Sequence, residues 1–100
     1  MIEQLVLNIV ARCIRITQNT TADLVAKYSG SCQSLCVYGY LNGYRNTPAY
    51  NDEGYRRADF LPLGSMSECI YLDWEDAEDK LKALLFALDS LEGSLMCNAK

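Results

Sequence analysis

Residues 73–93, DWEDAEDKLKALLFALDSLEG, constrain this fold more than any other stretch. Ala77, Leu81, Leu84, Leu88 and Leu91 recur at spacings of four and three, with Leu85 beside them. That is the apolar stripe of an amphipathic helix. Asp73 stands where an N-cap belongs, and Asp76 follows three residues on, as in a capping box. Glu75, Asp76, Glu78 and Asp79 crowd the first turns, where the helix dipole favours negative charge. Gly93 is placed to end the helix, leaving 94–100 as a frayed tail. Such a stripe needs an apolar surface to bury against, and the rest of the chain has to supply it.

The first sixteen residues offer a second stripe. Ile2, Leu5, Val6, Ile9, Val10, Cys13 and Ile16 keep the same spacing, which predicts a helix over 2–16. Its β-branched content leaves a strand over 9–16 as the rival reading. Gln18, Asn19 and Thr20 make a polar break. Two alternating runs follow. Over 22–28, Leu24, Ala26 and Tyr28 share one side, with Asp23, Val25 and Lys27 on the other. Over 35–41, Leu35, Val37, Gly39 and Leu41 oppose Cys36, Tyr38 and Tyr40. Together they predict a hairpin. Gly39 within its strand signals a bulge or a close approach by the first helix. A third short strand over 69–72 feeds the last helix.

Between the strands lies a long polar segment, 43–67, opened by the turn signal Asn42-Gly43. It holds Tyr44, Tyr50 and Tyr55, Arg45, Arg56 and Arg57, and both prolines. Loops of this length in small domains are functional or mobile. The expected order is helix, three strands, helix. Residues 1–100 then form one α+β domain, a two-layer sandwich with both helices on one face of a three-stranded antiparallel sheet. The other face carries Tyr38, Tyr40 and Tyr71, either exposed as a contact surface or packed under the long loop.

Charge and residue usage narrow the chemistry. The net charge of −4 runs against a direct nucleic-acid binder. No apolar run approaches the length of a membrane span. The N-terminus lacks the basic start and cleavage site of a signal peptide, so the expectation is a cytoplasmic protein. The five cysteines, Cys13, Cys32, Cys36, Cys69 and Cys97, are odd in number and irregular in spacing, and read as free thiols. With no histidine in the chain and no second close cysteine pair, Cys32 and Cys36 make a poor start to a zinc site, and no metal or cofactor is expected. The same lack removes Ser–His and Cys–His nucleophiles. Acids crowded at a helix start are more often caps and a solvated face than a catalytic pair. They also suit contact with a basic partner. Arg45, Arg56 and Arg57 lie among Asp52, Glu53 and Asp59, which cancel a phosphate-binding field. Their mixture with tyrosines suits a protein interface.

The runs TADLVAKY from Thr21, CVYGYLNG from Cys36 and IYLD from Ile70, leading into a leucine helix, resemble small proteins of phages and prophages over about residues 1–92. In element order, size and acidity the chain is similar to phage-encoded Cas9 inhibitors, the anti-CRISPR proteins. The Tyr/Arg loop departs from that pattern, and no contact residue carries over. The resemblance implies a non-enzymatic phage or mobile-element protein in the host cytoplasm. It would bind, and inhibit, a host protein complex that handles nucleic acid, such as a CRISPR nuclease. The residues expected at such a contact are Glu75, Asp76, Glu78 and Asp79 with Tyr44, Arg45, Tyr50, Tyr55 and Arg56. The alternative is a homo-oligomeric structural protein, a homodimer pairing through the tyrosine face or an edge strand.

Overall fold

The structure, a computed structural model, describes residues 2–47, 57–65 and 68–98, with the side chains of 97 and 98 left aside. The elements are α1 (Ile2–Asn19), β1 (Asp23–Ser29), β2 (Ser34–Tyr40), a 3-10 turn (Tyr44–Asn46), β3 (Ile70–Tyr71) and α2 (Ala77–Asn98). The fold is α+β, helix–β–β–β–helix, with an antiparallel sheet in the order β1-β2-β3.

α1 is a helix throughout, so the rival strand over 9–16 does not form. It buries Ile9, Cys13 and Ile16. It ends on polar side chains. Asn19 Nδ2 donates to Arg15 O at 2.9 Å and Thr20 Oγ1 to Ile16 O at 2.7 Å. These bonds fold the polar side chains back onto the last turn, where Ile16 O also accepts the Thr20 N–H at 3.0 Å. The next two elements are tied directly, because Leu24 N–H donates to Thr17 Oγ1 at 3.0 Å. α2 buries Ala77, Leu81, Leu84 and Leu88. These pack with the α1 stripe and with Leu35, Val37 and Ile70 of the sheet into one core. The alternation read from the strands sets this arrangement. Leu35 and Val37 face the helices, and Tyr38 and Tyr40 face away.

The helices run side by side in the same sense. Arg12 pairs with Asp89 at 2.8 Å, and Arg15 pairs with Glu92, one turn further along both. Arg15 donates to both Glu92 carboxylate oxygens, which holds that carboxyl below its ordinary range. A meander of three strands reverses direction twice, so parallel helices at its two ends follow from the topology.

Four expectations need correction, and one open alternative is decided. α2 starts a turn late: residues 72–76 form tight turns, and the first helical bond runs from Lys80 N–H to Asp76 O at 3.0 Å. Asp76, not Asp73, therefore holds the capping position. Nor does Gly93 stop the helix, which continues through it to Asn98. Glu92 is anchored by both arginines and Leu95 packs on the core, and these contacts outweigh the glycine's weak helix propensity. A Cβ at Gly93 would meet nothing within 4 Å. Gly93→Ala should therefore stabilise the domain by about 1 kcal/mol in urea titration.

Gly39 marks neither a bulge nor an approach by α1, since β1 and β2 pair without interruption from Asp23↔Tyr40 to Ser29↔Ser34. The close neighbour is β1 itself: a Cβ at Gly39 would lie 3.2 Å from Asp23 O and from Leu24 Cδ1. The far edge of β2 has two partners. Phe60 bridges to Gly39, and Ile70–Tyr71 pairs with Leu35 and Ser34. Part of the long segment is thus sheet-like, and its turn at Gly43 (φ 90°) leads into the 3-10 turn.

The free-thiol reading fails for Cys36 and Cys69, which form a disulfide. Continuing the register Ser34↔Tyr71, Leu35↔Ile70 by one step sets these two cysteines directly opposite, with Cα atoms 4.4 Å apart. That is the separation of a non-hydrogen-bonded cross-strand pair, well suited to a disulfide. Cys13 is a buried free thiol that burial pushes up to about 11, and Cys32 is free and exposed in the hairpin turn. The four cysteines do not converge as a ligand set.

Finally, Tyr38 and Tyr40 are not exposed. They are 8% and 5% accessible and pack with Ala58, Val25 and Leu61. The returning segment 57–65 covers that end of the sheet, so of the two sequence readings the packed one holds there.

Candidate interaction surface

At the opposite end of the same sheet face the cover stops. Tyr71 leaves β3 opposite Ser34, and the turn after it brings Trp74 back onto its ring, with centroids 4.9 Å apart. Trp74 N–H donates to Tyr71 O at 3.1 Å, which fixes the turn. Both rings are exposed, Trp74 at 45%. Lys80, from the first turns of α2, sets its Nζ 4.4 Å from the centre of the Trp74 ring. The strand–turn–helix junction therefore holds two aromatic rings in a rigid frame beside water.

Acids flank this pair along the chain. Asp73, Glu75, Asp76 and Asp79 are exposed and Glu78 is half-exposed. Lysines one turn on temper the charge: Asp76 meets Lys80 at 3.6 Å and Glu78 meets Lys82 at 3.2 Å. Pairs this exposed contribute little to stability. Among the described residues Asp73, Glu75 and Asp79 have no ion pair, so the uncancelled charge sits on them.

The remaining expected contact residues lie elsewhere. Tyr44 and Arg45 are exposed in the 3-10 turn beyond Tyr40. Tyr44 N–H donates to Asp23 Oδ2 at 2.6 Å, and its ring meets Tyr40 edge-on at 5.0 Å. Tyr71 pairs with the first residue of β2 and Tyr44 follows the last. Six strand steps of about 3.3 Å place the two groups roughly 20 Å apart. They do not form one patch. Tyr50, Tyr55 and Arg56 lie outside the described residues.

The reading by residues missed Trp74. The signal was present: an aromatic three positions after Tyr71, across a turn, ahead of an acid-rich helix start. No family model, curated protein or solved structure matches this chain. No helix among the described residues is long and apolar enough to cross a membrane.

Proposed function

We propose that this chain is a non-enzymatic binding protein of a phage or mobile element, acting in the host cytoplasm on a protein complex with a basic surface, such as a CRISPR nuclease. The observation that supports it most is the exposed Tyr71–Trp74 pair, with the exposed acids Asp73, Glu75, Asp76 and Asp79 next to it along the chain. Rigid aromatic anchors supply contact area at low entropic cost, and tryptophan and tyrosine dominate interface energetics. These acids add attraction toward a positively charged groove that normally holds nucleic acid, and speed encounter. The helix–three strands–helix order and the acidity it shares with anti-CRISPR proteins fit the same reading.

The test is a DNA-cleavage assay with a guide-loaded Cas9-type nuclease and stoichiometric protein. Inhibition is expected, with binding that weakens as salt rises. Reversing Asp73, Glu75 and Asp79, the acids without an ion pair among the described residues, to lysine should weaken binding about tenfold and flatten its salt dependence. Trp74→Ala should cost at least about 2 kcal/mol of binding. Cleavage unaffected by the protein removes the nuclease as target. For a partner found instead by pull-down and mass spectrometry, an affinity untouched by these substitutions removes the surface.

A further inference from the structure

We infer that the outer edge of β1 and the Leu7–Val10–Ile14 flank of α1 form the seam of a two-fold homodimer. This stands on a different surface from the proposed function and does not depend on it.

The main chain supplies the first half. Gly39 turns its N–H and C=O toward Phe60, at 2.9 and 3.1 Å, and so away from Leu24, its partner in β1. In an antiparallel ladder such a pair is the non-hydrogen-bonded kind. The peptide groups of Leu24, Ala26 and Tyr28 therefore point outward. Thr17 takes the Leu24 N–H. Among the described residues the outward groups of Ala26 and Tyr28 have no partner. This edge runs seven residues without proline or bulge. Soluble proteins normally block such an edge with prolines, bulges or charged side chains, lysine above all; the lysine of β1, Lys27, is turned over the Tyr38 ring on the other sheet face.

The flank of α1 supplies the second half. Leu7, Val10 and Ile14 fall on its side above β1 and run antiparallel to the strand. Leu7 lies along a groove with Tyr28, and Val10 and Ile14 along one with Leu24 and Ala26. Leu7 is 55% exposed, Ile14 52% and Tyr28 57%. At roughly 200 Å² per large side chain these three offer about 300 Å² per copy. With the strand edge, Val10 and Gln18 added, two copies bury on the order of 1,000 Å², where specific interfaces begin.

Charge favours a second copy as occupant. Arg12 and Arg15 are turned to Asp89 and Glu92 on the α2 side. Among the described residues that line the grooves, Glu3, in the first turn, carries the charge. A charged partner finds little to hold here. Two-fold pairing centred on Ala26 sets Asp23 against Ser29, Leu24 against Tyr28 and Val25 against Lys27. The neighbouring register of the same hydrogen-bond parity, centred on Val25, sets Asp23 against Lys27. Neither opposes like charges. Glu3 is seven residues from Val10, about 10 Å along the helix, so the two Glu3 carboxylates lie at opposite ends of the seam.

Light scattering from low to high micromolar concentration tests this. A mass of twice 11.2 kDa is expected. Leu7→Glu with Ile14→Glu, both at exposed positions, should raise the dissociation constant about a hundredfold, because the seam would bury unpaired carboxylates. Ala26→Pro removes an outward N–H and should also give monomers, with circular dichroism confirming that each variant is folded. The Ala26 and Tyr28 amides should gain hydrogen-exchange protection as concentration rises. A wild-type monomer at every concentration overturns the proposal, whether or not a foreign strand binds the edge. So does a dimer that survives both variants while folded, since its seam is elsewhere.

Discussion

Leu88→Ala lowers the free energy of unfolding by about 3–4 kcal/mol. Leu88 is fully buried where α2 meets α1 and the sheet, in the cluster that also holds Ile9, Cys13 and Leu84. Truncation removes three carbons' worth of burial and leaves a cavity that close-packed neighbours fill only in part. Among the described residues this cluster is the larger of the apolar clusters, so the loss is a large share of a total stability of about 5–15 kcal/mol. Urea titration reads it as a lower midpoint with an unchanged slope. Phe86, two positions back on the same helix, is 73% exposed and serves as the control. Phe86→Ala should change stability by less than about 0.5 kcal/mol. Equal effects at the two positions would mean that α2 does not lie on the sheet by the face described.

Opening the Cys36–Cys69 disulfide costs roughly 3–4 kcal/mol. The cross-link spans 33 positions of sequence, and closing a loop of that length removes much of the unfolded chain's freedom. The enclosed chain includes Phe60 and the Ala58–Leu61 cover over Tyr38 and Tyr40. The bond also ties a two-residue β3 to the sheet, where few main-chain bonds do so. The measurement compares urea midpoints of the oxidised protein with those of the reduced protein and of Cys36→Ala/Cys69→Ala. Both should fall together. A non-reduced digest should contain the two cysteine peptides joined. The same digest from host cells tests the proposed cytoplasmic location, since a reducing cytoplasm keeps such pairs as thiols and a joined pair there counts against it. Midpoints indifferent to reductant would leave β3 held by packing alone.

The parts legible in the residues were those carried by local period. The leucine stripe of α2, the apolar face of α1 and the alternation in β1 and β2 each need only neighbours three, four or two positions away. What escaped depended on distant segments. Cys36 and Cys69 meet through a register set by the whole meander, which no spacing along the chain encodes. Tyr38 and Tyr40 are buried because Ala58 and Leu61 return over them. Gly93 reads as a stop until Glu92 is seen anchored by Arg12 and Arg15 from another helix. On the candidate surface, the exposure of Glu75, Asp76 and Asp79 follows from a polar helix start. The lysines that offset Asp76 and Glu78 lie four residues on, and were equally open to view. Separation of Tyr44 and Arg45 from the acids follows from which end of β2 each element leaves, and that is settled only by the pairing of β3.

The shared direction of the two helices has a practical result for anyone capturing binding proteins. α1 starts beside Tyr28 and Leu72, on the Trp74 side of the molecule, whereas α2 runs away from Trp74 until Leu95 borders the pocket with Thr20 and Leu41. A tag fused beyond α2 would hold the molecule by its far pole and leave the aromatic rings facing the lysate. A tag ahead of α1 would leave from the same end as those rings, on the other face of the sheet, and so would crowd that end of the molecule.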